Sequence, residues 1–149
     1  MVQALFTEIL LSDILCEFFW GMGEILLSGN ENRRQTGARY EKLAAEYLEK
    51  QGLFILERNY RCRQGEIDLI ARDGEFLVFV EVKYRQGIEK GTSLEAINRR
   101  KQKRICRAAG YYLVCEVGNM DVSCRFDAVG IDGKEEKISW IKNAFDFCL

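Results

Sequence analysis

Charged side chains recur at a spacing of two residues in two neighbouring segments, as Glu66 with Asp68 and as Glu81 with Lys83. Because side chains alternate along a strand, the members of each pair are expected on one face. Glu81 directly follows the apolar run 76–80, which predicts a strand covered on both sides, and a charge at its end needs a partner. Carboxylate oxygens in a chain without histidine favour a hard cation such as Mg²⁺ or Mn²⁺.

The two segments join through Asp73-Gly74, a dipeptide typical of tight hairpin turns. If these residues form the turn, Asp68 lies across from Phe79 and Glu66 across from Glu81. Asp68 would then be diagonal to Glu81, at roughly 7–8 Å between backbone positions, and the two carboxylates could share an ion. Glu66 and Glu81 would repel each other unless a cation lay between them. The alternative is an ordinary amphipathic hairpin whose charged face meets water.

The elements around the hairpin follow from hydrophobic periodicity. A helix is predicted over 36–52, with a cap at its first residue, a closing glycine and Glu41 beside its apolar stripe. A capping box of Thr92 and Glu95 predicts a second helix over 92–114. The predicted strands are 54–60, 66–71, 76–83 and 124–131, followed by a turn at 132–134 and a segment, 137–147, interpreted as a strand and then a short helix.

The first 35 residues differ in character from the rest of the chain. Residues 2–27 predict a helix that is apolar nearly all round, and residues 28–36 are polar and predict a linker. The segment is either a helix that packs on the body, forms a dimer contact or touches a membrane surface, or an upstream addition to a chain that starts at Met22. Its four acids and lack of Lys or Arg argue against binding to anionic lipid. We therefore predict an acidic amphipathic extension and linker at 1–35 and one domain at 36–149.

Composition limits the functions that this chain can have. With 149 residues, 48% hydrophobic and 30% charged, it fits one globular domain. The net charge is -1, but the first 30 residues hold four acids and no Lys or Arg, so the rest carries +3 and is mildly basic. Six cysteines without a CxxC pair or a histidine argue against zinc, and no export leader or 18-residue apolar run is present. We expect reduced thiols in the cytoplasm.

Basic residues could bring phosphates to the acids. Arg61, Arg63 and Arg85 stand at the ends of the strands that carry the carboxylates, where they could hold a phosphodiester backbone. The densest basic stretch is 98–104, and within it Lys101 falls inside the apolar stripe of the second predicted helix, so it is expected to reach the acids or a phosphate. The alternative for the three arginines and for the rest of this basic stretch, Lys101 excepted, is ordinary solvated charge.

Two sets of motifs together resemble a known family. An acid on the first helix, Glu41, an Asp ending one strand, Asp68, and the Glu81-Val82-Lys83 triplet resemble the PD-(D/E)xK nuclease pattern. Four longer blocks are similar to the small bacterial YraN-like family of proposed endonucleases, related to archaeal Holliday-junction resolvases, over about residues 36–145. These blocks are Arg58–Arg61, Gly65–Ile70, Phe79–Arg85 and Arg125–Asp127. Gly65-Glu66-Ile67-Asp68 replaces the superfamily's Pro-Asp, and the acidic N-terminal extension has no counterpart in the family pattern.

The resemblance implies a restriction-endonuclease-like core, a mixed sheet flanked by helices, to which residues 2–27 would add an N-terminal helix. It also implies Asp68 and Glu81 as ligands of Mg²⁺ or Mn²⁺, Lys83 orienting the attacking water, and Glu41 contributing from the first helix. The implied reaction is hydrolysis of phosphodiester bonds in nucleic acid, with DNA the expected polymer, branched DNA one option and 5'-phosphate products.

Other interpretations stay open beside this one. Lys83 could be only an ion-pair partner of Glu66 or Glu81, and Glu41 only a solvated helix residue, with Glu46 a second candidate. The chain could be a non-catalytic nucleic-acid-binding module, or a protein-interaction domain with structural acids. A homodimer, as junction-cleaving relatives form, also remains open.

Overall fold

The computed structural model describes residues 28–85, 97–133 and 135–148, with side chains from residue 35 onward. The chain divides into two compact units, Met1–Asn32 and Arg33–Leu149. Of the first unit only the start of a helix is described, so the helix predicted over 2–27 lies outside the described residues. Among the residues that the structure describes, no helix is long and apolar enough to cross a membrane.

A five-stranded sheet forms the body, in the order β1-β2-β3-β4-β5. Neighbouring strands are antiparallel except β3 and β4, which are parallel. The arrangement is α/β with a mixed central sheet flanked by helices, consistent with a restriction-endonuclease-like core, and it confirms the predicted fold class. The elements are α1 (Ser28–Lys50), β1 (Phe54–Cys62), β2 (Gly65–Asp73), β3 (Phe76–Arg85), α2 (Arg99–Tyr112), a π-helical turn (Leu113–Val117), β4 (Cys124–Asp132) and β5 (Lys137–Phe145).

Each helix covers one face of the sheet with the apolar stripe that its sequence predicts. On one face Tyr40, Ala44 and Leu48 of α1 pack on residues of β2, β3 and β4. On the other, α2 buries its own stripe against the opposite side of β2 and β3, around Phe79. The central strand β3 is therefore buried on both faces, as its unbroken apolar run predicts.

Helix boundaries differ from the predictions in three places. Helix α1 begins at Ser28, so the linker predicted for 28–36 is wrong: the segment has no proline, and Glu31, Arg33, Arg34 and Gln35 within it are good helix formers. Helix α2 begins at Arg99, where the Asn98 side chain accepts the amide of Lys101; the Thr92 and Glu95 box lies outside the described residues. The short helix predicted after β5 is not formed, because residues 146–148 have no regular structure.

Gly65 opens β2 at a place where the strand and α2 touch. A Cβ at this position would lie 3.0 Å from the carbonyl oxygen of Arg104, a tighter contact than most real Cβ atoms make, so a neighbour would have to shift. Its φ of +155° is also one that residues with a side chain rarely adopt. Glycine therefore sets how closely the first residues of β2 approach α2.

Asp127 on β4 is a fully buried acid whose oxygens are taken by donors from other parts of the chain. Its carboxylate accepts hydrogen bonds from the guanidinium of Arg125, the indole of Trp140 and the backbone amide of Asn143, at 2.9 to 3.2 Å. Arg125 also binds Asp73 at 2.6 Å. The motif 125–127 thus joins β4 to β5 and to the β2–β3 turn, which is a structural role.

The described cysteines are all free thiols, namely Cys62, Cys106, Cys115, Cys124 and Cys148. Cys106 and Cys148 lie nearest each other, with their sulfurs 3.8 Å apart, and the Cys148 amide donates to the Cys106 sulfur. Burial raises the pKa of the Cys106 thiol to about 11, so it stays protonated at neutral pH.

Candidate functional site

Strands β2 and β3 separate at Asp68 and Glu81, the acids of the predicted site. Their pairing ends at Leu69 opposite Val80, whereas β2 stays paired with β1 to its first residue and β3 stays paired with β4 to its last. Beyond the last pair, the Asp68 carboxylate accepts the Val82 amide at 2.8 Å. A side chain thus takes the amide hydrogen that a strand partner would have taken, and the sheet opens into a fork.

The register of this hairpin differs from the predicted one. Asp73 pairs with Phe76, so the turn is Gly74-Glu75 and not Asp73-Gly74. The offset of two residues brings Asp68 level with Glu81 and removes the predicted Glu66–Glu81 opposition. Because side chains alternate with a period of two, an offset of two residues keeps each residue on its expected side, whereas an offset of one would have reversed it.

A cleft of about 310 Å³ lies in the fork, walled by both helices and by β2 and β3. It collects all four predicted catalytic residues together with one of the four predicted phosphate contacts. These five residues are Glu41, Asp68, Glu81, Lys83 and Lys101. They come from four separate elements, so the fold brings together side chains that are up to 60 residues apart in sequence.

Glu81 is the most buried acid of the cleft, with only 2% of its side chain exposed. Lys83 places its ammonium 3.0 Å from Oε1, and Lys101 places its own 3.2 Å from Oε2. The Lys101 contact is an ion pair without hydrogen-bond alignment, since Oε2 has no hydrogen-bond partner. Lys101 also lies 3.9 Å from Oε1 of Glu66, which is 45% exposed. A buried carboxylate is stable only with such partners.

Asp68 has an unusual proton affinity for an aspartate. Burial is the largest cause that raises its pKa to about 7, and the negative charges of Glu81 and, last in order, Glu41 contribute to the same rise. The Val82 amide and Lys101 act in the opposite direction. The carboxyl is thus partly protonated near neutral pH, as expected for an acid held beside another acid without enough positive charge nearby.

Glu41 supplies a third acid from α1. Its Oε2 atom is buried and has no hydrogen-bond partner, like Oε2 of Glu81. Two buried carboxylate oxygens that accept no hydrogen bond, in a cleft with a third carboxylate and no imidazole, fit a hard divalent cation. Among the described residues no three acids or cysteines converge closely enough to form a complete metal cage. Bound Mg²⁺ keeps several waters, so an ion here would need only two or so protein carboxylates.

The remaining predicted contacts lie away from the cleft. Arg61 is exposed on β1 at the level of Glu66, and the Arg63 guanidinium stacks on the Tyr111 ring of α2 at 5.7 Å. Arg85 ends β3, level with Asp132. None of these three arginines lines the cleft. Glu46, the second candidate on α1, is exposed and faces Lys42 at 3.9 Å.

Five further residues line the cleft without having been predicted as site residues: Thr36, Gly37, Tyr40, Val82 and Tyr84. Thr36 was expected to cap α1 but lies within the helix, one turn before Tyr40. The rings of Tyr40 and Tyr84 stack with centroids 3.7 Å apart and planes 12° apart, joining α1 to the end of β3. Tyr84 directly follows Lys83 in the sequence, and this adjacency to a predicted site residue could have indicated that Tyr84 lines the cleft.

A model of the family described as Uncharacterised protein family UPF0102 matches residues 40–131, well over half of the chain. The chain belongs to the UPF0102 family. All five cleft residues named above lie in the matched range. A UPF0102 protein of Lachnoclostridium phytofermentans is 51% identical over 115 residues, covering 77% of this chain and 96% of that protein. One of Nitrosomonas europaea is 49% identical over 111 residues, covering 74% and 92%.

A third UPF0102 protein, from Pseudomonas fluorescens, is 42% identical over 112 residues, covering 75% of this chain and 93% of that protein. UPF0102 membership confirms the family that the four sequence blocks predicted. The UPF0102 proteins' names state no activity, so the nuclease superfamily implied by the resemblance belongs to the proposal that follows.

Proposed function

We propose that this UPF0102 protein is a metal-dependent endonuclease that hydrolyses phosphodiester bonds in nucleic acid, with DNA the expected polymer. The proposal is carried by one observation: Asp68 and Glu81 meet, largely buried, in the fork between β2 and β3, with the Lys83 ammonium 3.0 Å from Glu81. Two acids and a lysine in one cleft are a set that divalent-metal hydrolysis uses. Fold alone would not carry this conclusion, because one fold hosts many activities.

Each acid or lysine of the cleft has a separate role in the proposed hydrolysis. Asp68 and Glu81 would hold Mg²⁺ or Mn²⁺, and Glu41 adds a buried oxygen from α1. When bound, such an ion supplies Lewis-acid polarisation of the phosphodiester and activates water. Lys83 is 32% exposed, so its ammonium can hold a water in line with the phosphorus and stabilise the negative charge that develops during attack.

Helix α2 supports a polyanionic substrate. Its sequence contains no acid, and five of its basic side chains are exposed: Arg99, Arg100, Lys103, Arg104 and Arg107. Lys101 of the same helix reaches the cleft, so phosphates held along α2 would pass close to the acids. Affinity that depends on such contacts falls steeply with salt. Arg61, Arg63 and Arg85 would extend the contact from the strand ends.

A second candidate function is a nucleic-acid-binding module without catalysis. The observation in its favour is that Lys83 and Lys101 already give Glu81 one ammonium per oxygen, so this buried charge has partners within the chain. In that case the exposed basic face of α2 would act alone.

Calorimetry with Mn²⁺ and Mg²⁺ separates the two candidates. We expect wild-type protein to bind the ion and cut labelled branched or single-stranded DNA, and Asp68→Ala to lose both. Asp121→Ala, which removes an exposed acid outside the cleft, is the matched control and should behave as wild type. DNA binding without metal binding or cutting in any variant would favour the module. Sedimentation of the same samples would test the homodimer, and fractionation of cells the proposed cytoplasmic location.

A further inference from the structure

Lys101 reaches the cleft from an element that carries no acid of the site. It is the third residue of α2, and its amide is fixed by the Asn98 side chain that caps the helix. Its side chain is 22% exposed and its ammonium lies between two acids, 3.2 Å from Glu81 and 3.9 Å from Glu66. The neighbouring basic residues of α2 are exposed, so Lys101 is the member of this basic helix that the fold directs inward.

The charges in the cleft depend on this side chain. Glu41, Asp68 and Glu81 bring three potential negative charges, and Lys83 and Lys101 bring two positive ones, which leaves a net charge of -1. Without the Lys101 ammonium the same groups carry -2, the charge that a divalent cation neutralises. Lys83 differs because it shares a strand with Glu81 and holds the other oxygen, so an ion at Oε2 would not displace it.

We propose that Lys101 is a resident counter-cation of Glu81, exchanged for the divalent ion when the site is loaded. This inference rests on the proposed function, because it requires a metal at Asp68 and Glu81. A displaced ammonium has a place to go: Glu66 is at the exposed rim and already within 3.9 Å. From there Lys101 becomes available to a substrate phosphate, so that metal loading also prepares a contact for nucleic acid.

Exchange predicts that Lys101 opposes metal binding. An opposite charge within about 4–6 Å changes the proton affinity of a carboxylate by roughly 10- to 1000-fold, and competition with a metal ion follows the same electrostatics. Lys101→Met, which keeps the unbranched apolar part of the side chain and removes its charge, should therefore bind Mn²⁺ at least about tenfold more tightly than wild type. Lys101→Arg should bind it more weakly, because a guanidinium can hold both oxygens of Glu81 at once.

Calorimetric titration of the full chain with Mn²⁺ alone tests this, with Lys103→Met as the control. Lys103 is exposed two residues further along α2, so its substitution removes the same charge outside the cleft and should change Mn²⁺ affinity less than about twofold. A second measurement is the unfolding temperature in EDTA. Lys101→Met should lower it, since Glu81 loses a partner, and Mn²⁺ should raise it by more than in wild type.

The outcomes separate this inference from the proposed function. If wild type binds Mn²⁺ and Lys101→Met binds it with the same or lower affinity, then Lys101 does not compete with the ion. That result would overturn the exchange but not the metal site. If Lys101→Met does not fold, Lys101→Arg decides: weaker Mn²⁺ binding supports exchange, and unchanged binding overturns it. Absence of Mn²⁺ binding in wild type and every variant would overturn both the metal site and the exchange.

Discussion

Replacing Asp68 with asparagine should stabilise the metal-free protein, by an amount that depends on pH. The pKa of Asp68 is raised from 3.8 to about 7, first by burial and then by the charge of Glu81. A carboxyl whose pKa is raised on folding favours the native state while it is protonated and opposes it once it ionises. Asparagine keeps an oxygen for the Val82 amide and never ionises, so it removes only the electrostatic cost.

The size of this effect follows from the shift. A pKa change of about 3 units corresponds to about 4 kcal/mol, at 1.36 kcal/mol per unit. The cost is nearly absent below about pH 4, grows as the pH rises, and is complete above the folded pKa of about 7. Between pH 5 and pH 8 it grows by about 2 to 3 kcal/mol. The stability of Asp68→Asn relative to wild type should rise by the same amount over that interval.

Urea unfolding in EDTA at pH 5, 6, 7 and 8 measures this difference, with Asp121→Asn as the control for loss of an exposed acid. As the pH rises, we expect the urea midpoint of wild type to fall relative to that of Asp68→Asn, while the slope m stays constant. A difference between Asp68→Asn and wild type that changes by less than about 0.5 kcal/mol across the four pH values would refute the reasoning. Excess Mn²⁺ should reverse the ranking at pH 8, because only wild type retains the ligand.

Five further substitutions test the fold by urea unfolding, four of them as two matched pairs. Asp127→Ala should cost about 3 to 5 kcal/mol, because it leaves buried donors without an acceptor, whereas Asp73→Ala, nearer the surface, should cost about 1 kcal/mol or less; equal costs would contradict the assigned role. Gly65→Ala should cost about 2 to 4 kcal/mol from crowding and strain, more than the roughly 1 to 2 kcal/mol for Gly74→Ala, which has strain alone. Asn98→Ala should cost about 1 kcal/mol through loss of the α2 cap, and no change would place the start of the helix elsewhere.

Much of the fold was predictable because it rests on patterns that are local. The apolar stripe of α1 and the unbroken run in β3 predicted which faces are buried, and both predictions are confirmed. The grouping of Asp68 with Glu81 survived a wrong turn assignment, since an offset of two residues leaves every side chain on its own face. Dipeptide preference alone did not distinguish Asp73-Gly74 from Gly74-Glu75 as the turn.

The failures concern contacts that depend on distant parts of the chain. Helical spacing predicted that Lys101 reaches the acids, but no feature of the sequence predicts that its partner is Glu81. The motif containing Asp127 was recognised as a family block, but its buried role depends on Trp140 and Asn143 of a later strand. One failure is local: the polar segment 28–36 was assigned to a linker from composition, although Glu31, Arg33, Arg34 and Gln35 suit the helix that it forms.

The parting of β2 and β3 has a consequence for solubility. Two strands that separate inside a sheet expose the same backbone groups as an edge strand, and such edges invite pairing with other chains and aggregation. Here the opening is occupied by Asp68, Glu81 and Lys83, and Asp68 takes the Val82 amide itself. Charged side chains pointing into an opening are among the devices by which natural sheets avoid foreign strands. The same residues that form the proposed catalytic cleft therefore also occupy the strand edges that the separation opens, so neutralising several of them at once should promote self-association.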